Sequence, residues 1–231
     1  MMPHPDDSEF GCAGTVARWT GEGRRVVYIV CTNGDKGTSD RAMTAEKLAR
    51  IREDEQRAAA RVLGVAGVVF LGYPDQGLED TPDFRKALVR QIRLFKPQTV
   101  VTVDPYRRYI WHRDHRICGQ AVIDAVFPYA RDFLAYPDLL AEGLEPHKVG
   151  EIYFTAAEDV NCRVDITATF DLKLAALACH ASQVGERMSQ IAEWLRARCQ
   201  QAGESAGCEL AESFHRADVE MVGPFRKKSQ A

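Results

Sequence analysis

The sequence predicts an α/β protein built on a doubly wound, mostly parallel sheet with helices on both faces. Three observations carry that prediction. Short, continuous runs of β-branched and apolar residues recur, and such runs suit strands buried on both faces. Stretches with helical apolar spacing separate them, an alternation that implies right-handed βαβ units. The chain has 231 residues, enough for a full hydrophobic core.

The elements follow in order. Gly14 to Thr20 reads as a helix. Val26 to Thr32 is a β-branched run closed by the turn signal Asn33-Gly34, and so a strand. From Ala42 to Leu63 the apolar residues Leu48, Ile51, Ala59, Val62 and Leu63 fall at helical spacing, with Gly64 as the stop. Val68 to Leu71 is the next strand, ended by Gly72-Tyr73-Pro74-Asp75. Phe84 to Phe95 is a helix, with Leu88, Ile92 and Phe95 on one stripe and Lys96-Pro97 as its end. Thr99 to Val103 is a strand that runs into Asp104-Pro105. Ile117 to Phe127 is helical, Glu151 to Thr155 is a strand, and Phe170 to His180 and Gln183 to Cys199 are two helices. The expected organisation is one Rossmann-like domain over residues 1–222, followed by a basic, polar, frayed tail over 223–231.

One element is out of place. Asp6 and Asp7 precede a helix, so a strand should lead into His4, yet only Met1-Met2-Pro3 is available. Either the first loop is anchored without its strand, or the chain starts after it. The expectation is the second, a first strand that is missing.

Composition narrows the function classes. Hydrophobic residues make up 45% and charged residues 27%, and the formal net charge of -3 argues against a nucleic-acid partner. No apolar run approaches the ~20 residues needed to span a bilayer. The first residues lack the basic and apolar segments of a secretory signal, so the expected location is the cytoplasm. The seven cysteines are scattered, with no C-x-x-C, and read as reduced, mostly buried thiols.

The chemistry concentrates in two tetrapeptides, His4-Pro5-Asp6-Asp7 and His112-Arg113-Asp114-His115. In a doubly wound sheet, ligands sit at the carboxyl ends of the strands. His112 and His115 follow the strand that ends at Val103, and the loops Asn33 to Gly37 and Tyr73 to Gly77 occupy equivalent positions on the same rim. A catalytic zinc site uses three protein ligands and leaves a position for water. His4, Asp7 and His115 can supply those three. Asp6 would then accept the proton of water, and a protonated His112 would steady an oxyanion or protonate a leaving amine. The bland alternatives are a polar turn in which Asp6 or Asp7 caps the next helix, and surface histidines.

His4-Pro5-Asp6-Asp7 followed by Glu9-Phe10-Gly11-Cys12-Ala13-Gly14-Thr15 resembles the signature of the PIG-L/LmbE-like zinc-dependent N-deacetylases. The likeness continues through Thr32 to Gly37, Arg52 to Gln56, Leu71 to Asp75, His112 to His115 and Lys173 to Gln183. It departs at Ser8, where many members carry Glu. The resemblance implies metal ligands at His4, Asp7 and His115, a base at Asp6, an acid or electrophilic role at His112, and substrate-facing roles for Arg52 and Asp75. On its residue type and helix position alone, Arg52 could equally pair with Glu55 or Asp75 on the surface. Lys173, His180 and Gln183 belong to the same likeness without an assigned role.

Trp111 lies beside His112, where its ring would stack on a sugar face; core or subunit packing is the alternative. Arg107 and Arg108 would suit an anionic group or simply a solvated loop. The expected function is metal-dependent hydrolysis of an N-acetyl group from an N-acetylglucosamine-type sugar or conjugate. Zn2+ is the expected cofactor, with Fe2+ and Co2+ as substitutes, and the partner is a small N-acetylated sugar. The resemblance adds a homotrimer or homohexamer. Two other classes stay open on the sequence: a non-haem Fe(II) enzyme using the same two-His-one-carboxylate set, and a non-catalytic Rossmann-like binding module.

Overall fold

The computed structural model describes residues 1–109 and 112–219. Helix α1 (Asp7–Gly21) opens the chain and leads to β1 (Val27–Thr32), α2 (Ala45–Val62) and β2 (Gly67–Tyr73). Then come α3 (Pro82–Phe95), β3 (Thr99–Val103), α4 (Arg113–Asp124), the short α5 (Pro137–Ala141) and β4 (Glu151–Thr155). Strand β5 (Cys162–Asp165), helices α6 (Phe170–Ala178), α7 (Ala181–Val184) and α8 (Met188–Glu204), and strand β6 (Ala211–Asp218) complete it. Threonine caps set two of the helix starts: Thr44 accepts from Lys47 N at α2, and Thr81 accepts from Phe84 N at α3, where Pro82 takes the first turn.

Strands β1 and β2 pair in parallel, and β3-β4-β6-β5 form a second group. Within it β3 and β4 are parallel, from Thr99↔Glu151 to Val103↔Thr155, whereas β6 runs antiparallel to both β4 and β5. The antiparallel pair β5 and β6 departs from the mostly parallel sheet that the sequence pattern implies. The reason is visible in β6: Ala211 and Phe214 are buried, but Arg216 and Asp218 at the other end face solvent, so no continuous apolar run marks it.

Residues Met1 to Pro3 act as a stub of strand between the two groups. Met2 bridges Val30 in parallel; its N–H donates to Ile29 O at 2.9 Å, and its carbonyl accepts from Cys31 N at 2.9 Å. Thr32 N donates to Pro3 O at 2.8 Å, and the Met1 ammonium donates to Val101 O at 2.7 Å. The His4 loop is therefore anchored on both sides by a few residues.

Helices cover the sheet. Leu88, Val89 and Ile92 of α3 and Cys118, Ala121 and Val122 of α4 pack with Val100 and Ile152. Cys12, Ala13 and Val16 of α1 and Ala59 and Ala60 of α2 pack with Val103, Tyr153 and Phe214. Helix α1 begins at Asp7, well before the expected Gly14. Gly14 lies within it, packed on Ile166, whose side-chain atoms a Cβ there would meet at 2.8 to 2.9 Å. The expected helix to Phe127 gives way at Ala125–Tyr129 to a wide turn in which Phe127 leaves helical dihedrals. The expected Gln183 to Cys199 helix is α7, a single tight turn at Gly185–Arg187, and α8. Among the described residues no helix is long and apolar enough to cross a membrane. The tail 223–231 and Trp111 lie outside the described residues.

Candidate metal centre

The loop before α1, the loop after β2 and the start of α4 converge at the carboxyl rim of the sheet, as the strand order demands. His4 sits at the centre and is 7% exposed. Its Nδ1 lies 3.1 Å from Asp7 Oδ2, and its Nε2 lies 3.1 Å from Asp114 Oδ2 and 3.2 Å from Asp75 Oδ1. The other oxygen of Asp7 is 3.3 Å from His115 Nε2. His112 closes the group: its ring centroid is 4.5 Å from that of His4, and its Nε2 is 4.0 Å from Asp75 Oδ1.

His4, His112 and His115 each offer a ligand atom within 4.8 Å of the others, and so do His4, Asp75, His112 and Asp114. Asp7 belongs to neither set, although its two oxygens lie 3.1 Å from His4 Nδ1 and 3.3 Å from His115 Nε2. The donor chemistry fits a divalent cation: imidazoles and carboxylates suit zinc and its first-row neighbours. The charge balance fits as well. Burial works against a charged His4, yet Asp114, Asp7 and Asp75 together push its pKa up to about 12, so these carboxylates favour positive charge at the centre. Asp75 Oδ1 is buried and makes no directed hydrogen bond, although His4 Nε2 is near.

The carboxylates are not equivalent. Asp114 is fully buried and accepts from Gln76 N at 2.7 Å and Leu78 N at 3.2 Å, which fixes it behind His4 Nε2. Burial opposes the charge on Asp7, but His115 and His4 hold its pKa far below the usual carboxylate range. Asp6 behaves in the opposite way: burial, and then the charge of Asp7, lift its pKa well above that range against the pull of Arg52. Asp6 is in the N-cap position of α1 but makes no side-chain cap, so the capping alternative fails for it.

Asp6 has a φ of 90°, a conformation costly for a residue with a side chain. Its surroundings hold it there. Gln56 Oε1 accepts from Asp6 N at 3.0 Å, while Arg52 donates to Pro5 O at 2.6 Å and to Asp6 Oδ2 at 3.2 Å. Arg52 is buried, with a further bond to Gly34 O at 3.0 Å; the surface pairing with Glu55 or Asp75 is not formed. Gly34 has φ 65°, and a Cβ there would lie 2.4 Å from the guanidinium, so glycine is required. His112 caps α4, its Nδ1 accepting from Asp114 N at 3.3 Å. That bond leaves the ring hydrogen of the neutral tautomer on Nε2, facing the cluster.

Beneath the centre lies a second polar group, built largely from residues of the family-like segments that had no assigned role. Gln56 Nε2 donates to both oxygens of Glu9, each at 3.1 Å, and His180 Nε2 lies 3.1 Å from Glu9 Oε2. Lys173 Nζ donates to Glu9 O, Phe10 O and Glu212 Oε1 at 2.9, 2.9 and 2.7 Å. Glu212 also accepts from Gly14 N and Thr15 N. Gln183 is tied to Gly37 O at 3.0 Å. Glu9 and Gln56 lie in segments that carry the family likeness, without an assigned role, whereas Glu212 carried no motif. Asp114 did carry a signal, since it stands between two histidines in His112 to His115.

A cavity of about 170 Å³ opens beside Asp7 and His115, with Phe10, Thr155, Trp194, Arg107 and Arg198 among its walls.

A doubly wound sheet that gathers imidazoles and carboxylates at its carboxyl rim defines an α/β protein with a candidate divalent-cation centre. Residues 1–126 match the family PIG-L: GlcNAc-PI de-N-acetylase, and the chain belongs to that family. Among curated relatives, the diacetylchitobiose deacetylase of Thermococcus kodakarensis is 35% identical over 93% of this chain and 80% of its own length. A 1D-myo-inositol 2-acetamido-2-deoxy-alpha-D-glucopyranoside deacetylase of Mycobacteroides abscessus is 30% identical over 78% of this chain and 79% of its own. Among solved structures, the N,N'-diacetylchitobiose deacetylase of Pyrococcus horikoshii superposes with a TM-score of 0.90 at 32% identity, covering 97% of this chain and 85% of the other.

Proposed function

We propose that the protein is a zinc-dependent hydrolase that removes the acetyl group from an N-acetylglucosamine-type amino sugar or conjugate. The observation that carries this reading is the arrangement at Asp7: one carboxylate touches both His4 and His115, with Asp6 left outside and lifted in pKa. The names of the relatives support the substrate class, since they act on diacetylchitobiose and on an acetamido-deoxyglucopyranoside.

His4, Asp7 and His115 would hold the ion. Asp114 then serves as the outer carboxylate that orients the His4 ring, the common partner of a ligating imidazole. A divalent cation held there would polarise the amide carbonyl and lower the pKa of water toward 7. Asp6 takes a proton from the attacking water; its raised pKa makes it a better base near neutrality than an ordinary carboxylate. His112 Nε2–H faces the developing oxyanion. Burial, then the neighbouring His4 and His115, depress the pKa of His112, which favours neutral donation to the oxyanion over the acid role. The proton held by Asp6 passes to the nitrogen as the C–N bond breaks, giving acetate and the free amine.

Arg52 and Asp75 are assigned to substrate orientation, Arg52 through its grip on Asp6 and the Gly34 turn, and Asp75 at the edge of the histidine cluster. Trp111 remains assigned to a sugar face on sequence grounds. The assignment of the cytoplasm and of a trimer or hexamer also rests on the sequence alone. The test is acetate release from N-acetylglucosamine and diacetylchitobiose by protein loaded with one equivalent of zinc. Release with both native protein and Asp6→Asn, or release unaffected by chelation, would exclude the reading.

A further inference from the structure

The cavity of about 170 Å³ has Asp7 and His115 in its walls, but not Arg52, Asp75 or His112. Asp7 meets the His4 ring at Nδ1 and Asp75 meets it at Nε2, so the cavity and Asp75 are on opposite sides of that ring. The carbonyl carbon of an amide carries its nitrogen and its acyl chain on opposite sides of the C=O bond. With the sugar nitrogen toward Asp75, the acyl chain points past Asp7 and His115 into the cavity. An acetyl group ends at one methyl. A cavity of ~150 Å³ holds a benzene ring, so this one has room for a chain of several carbons.

The walls give the chemistry of that chain. Phe10, Val103, Leu195 and Ala211 supply apolar surface. The charged groups are unequally matched. Glu212 is paired with Lys173, and Asp7 with His4 and His115. Asp104 accepts from Tyr106 N at 2.9 Å and has no cation within ion-pair distance among the described residues. Arg107 and Arg198 also line the cavity and form no hydrogen bond or ion pair among the described residues. Both are exposed, so they stand at its mouth. Arg198 is held there by Trp194, one turn before it on α8, with the guanidinium 5.6 Å from the ring centroid. Two guanidinium groups thus face a single carboxylate, and the mouth favours an anion.

We propose, resting on the amide hydrolysis proposed for this site, that the cavity is an acyl pocket and that the protein also cleaves amino-sugar amides whose acyl chain is longer than acetyl and ends in a carboxylate, as in a succinyl group. The methylenes lie along the apolar walls, and the carboxylate meets Arg107 and Arg198, whose planar guanidinium groups suit it. Hydrolysis puts the OH of water on the acyl carbon and its proton on the nitrogen as the C–N bond breaks, releasing a dicarboxylate and the free amine.

The experiment compares N-succinylglucosamine with N-butyrylglucosamine, a neutral chain of the same length, on the zinc-loaded full chain. kcat/KM is expected to favour the succinyl compound by about 10- to 100-fold, and Arg107→Ala combined with Arg198→Ala to erase that preference. Calorimetric titration of metal-free protein with N-succinylglucosamine reads the pocket apart from turnover, and the same double variant should raise Kd by a similar factor. A butyryl compound cleaved as well as the succinyl one, or a preference that survives the double variant, would overturn the proposal. So would a double variant that weakens N-acetylglucosamine 1-phosphate instead, since the arginines would then serve the far side of the sugar. Binding of the succinyl compound that ignores the arginines sinks the pocket even if N-acetylglucosamine is cleaved. Arginine-dependent binding with no amide cleaved keeps the pocket and sinks the hydrolase.

Discussion

Two buried polar groups meet at the first turn of α1, and they differ in one respect. In the lower group, Lys173 has three oxygen partners, and Glu212 has Lys173 and two backbone N–H groups. In the upper group, four carboxylates crowd three imidazoles, Asp75 Oδ1 lacks a directed bond, and Asp6 is held with a raised pKa in a left-handed conformation. A buried network whose charges are paired fixes a fold, even with His180 Nδ1 left without a bond, whereas one left short of positive charge is set up to receive it. The lower network is scaffold and the upper one is chemistry, although they share Glu9, Gln56 and the turn between them.

The comparison breaks most readily at Asp6. Asp6→Asn is expected to lower kcat for acetate release by about 10²- to 10⁴-fold while zinc content, measured by elemental analysis, stays near one per chain. In the scaffold, Lys173→Met strands Glu212 and should cost about 3–5 kcal/mol in urea unfolding, with kcat per folded molecule little changed. The reverse pattern, activity lost at Lys173 and stability lost at Asp6, would erase the distinction.

Two smaller effects sharpen the upper group. Asp114→Asn removes the carboxylate behind His4 and should weaken zinc by about 10- to 100-fold in a competition titration, with folding retained. His112→Gln is expected to keep its zinc and lose turnover, whereas His115→Gln should lose both. Zinc lost from the His112 variant alone would place His112 in the ligand set in place of Asp7.

The smallest effect is on pH. In metal-free protein the folded pKa of His4, about 12, lies above its ordinary 6.5. The stability this contributes is full below pH 6.5 and is lost progressively as pH rises toward the folded value. The Tm of chelated protein should therefore fall between pH 6.5 and 8. Added zinc should flatten that slope, because the ion replaces the proton as the positive charge among Asp7, Asp75 and Asp114.

The sequence alone determined the α/β class and the parallel strands β1 to β4, because apolar β-branched runs and helical stripes are local patterns. It also placed His4, Asp6, Asp7, His112 and His115 on one rim, since strand order forces those loops to the same edge. It missed β5 and β6, whose half-exposed residues carry no apolar run, and it began α1 at Gly14 rather than at Asp7. Only the tertiary structure decided the partners. Arg52 and Asp6 are 46 residues apart and His180 and Glu9 171 apart, and no spacing rule joins them. Which carboxylate titrates high, and which is held low, depends on burial and on charges brought in from other elements. Those are properties of the packed chain rather than of any stretch of it.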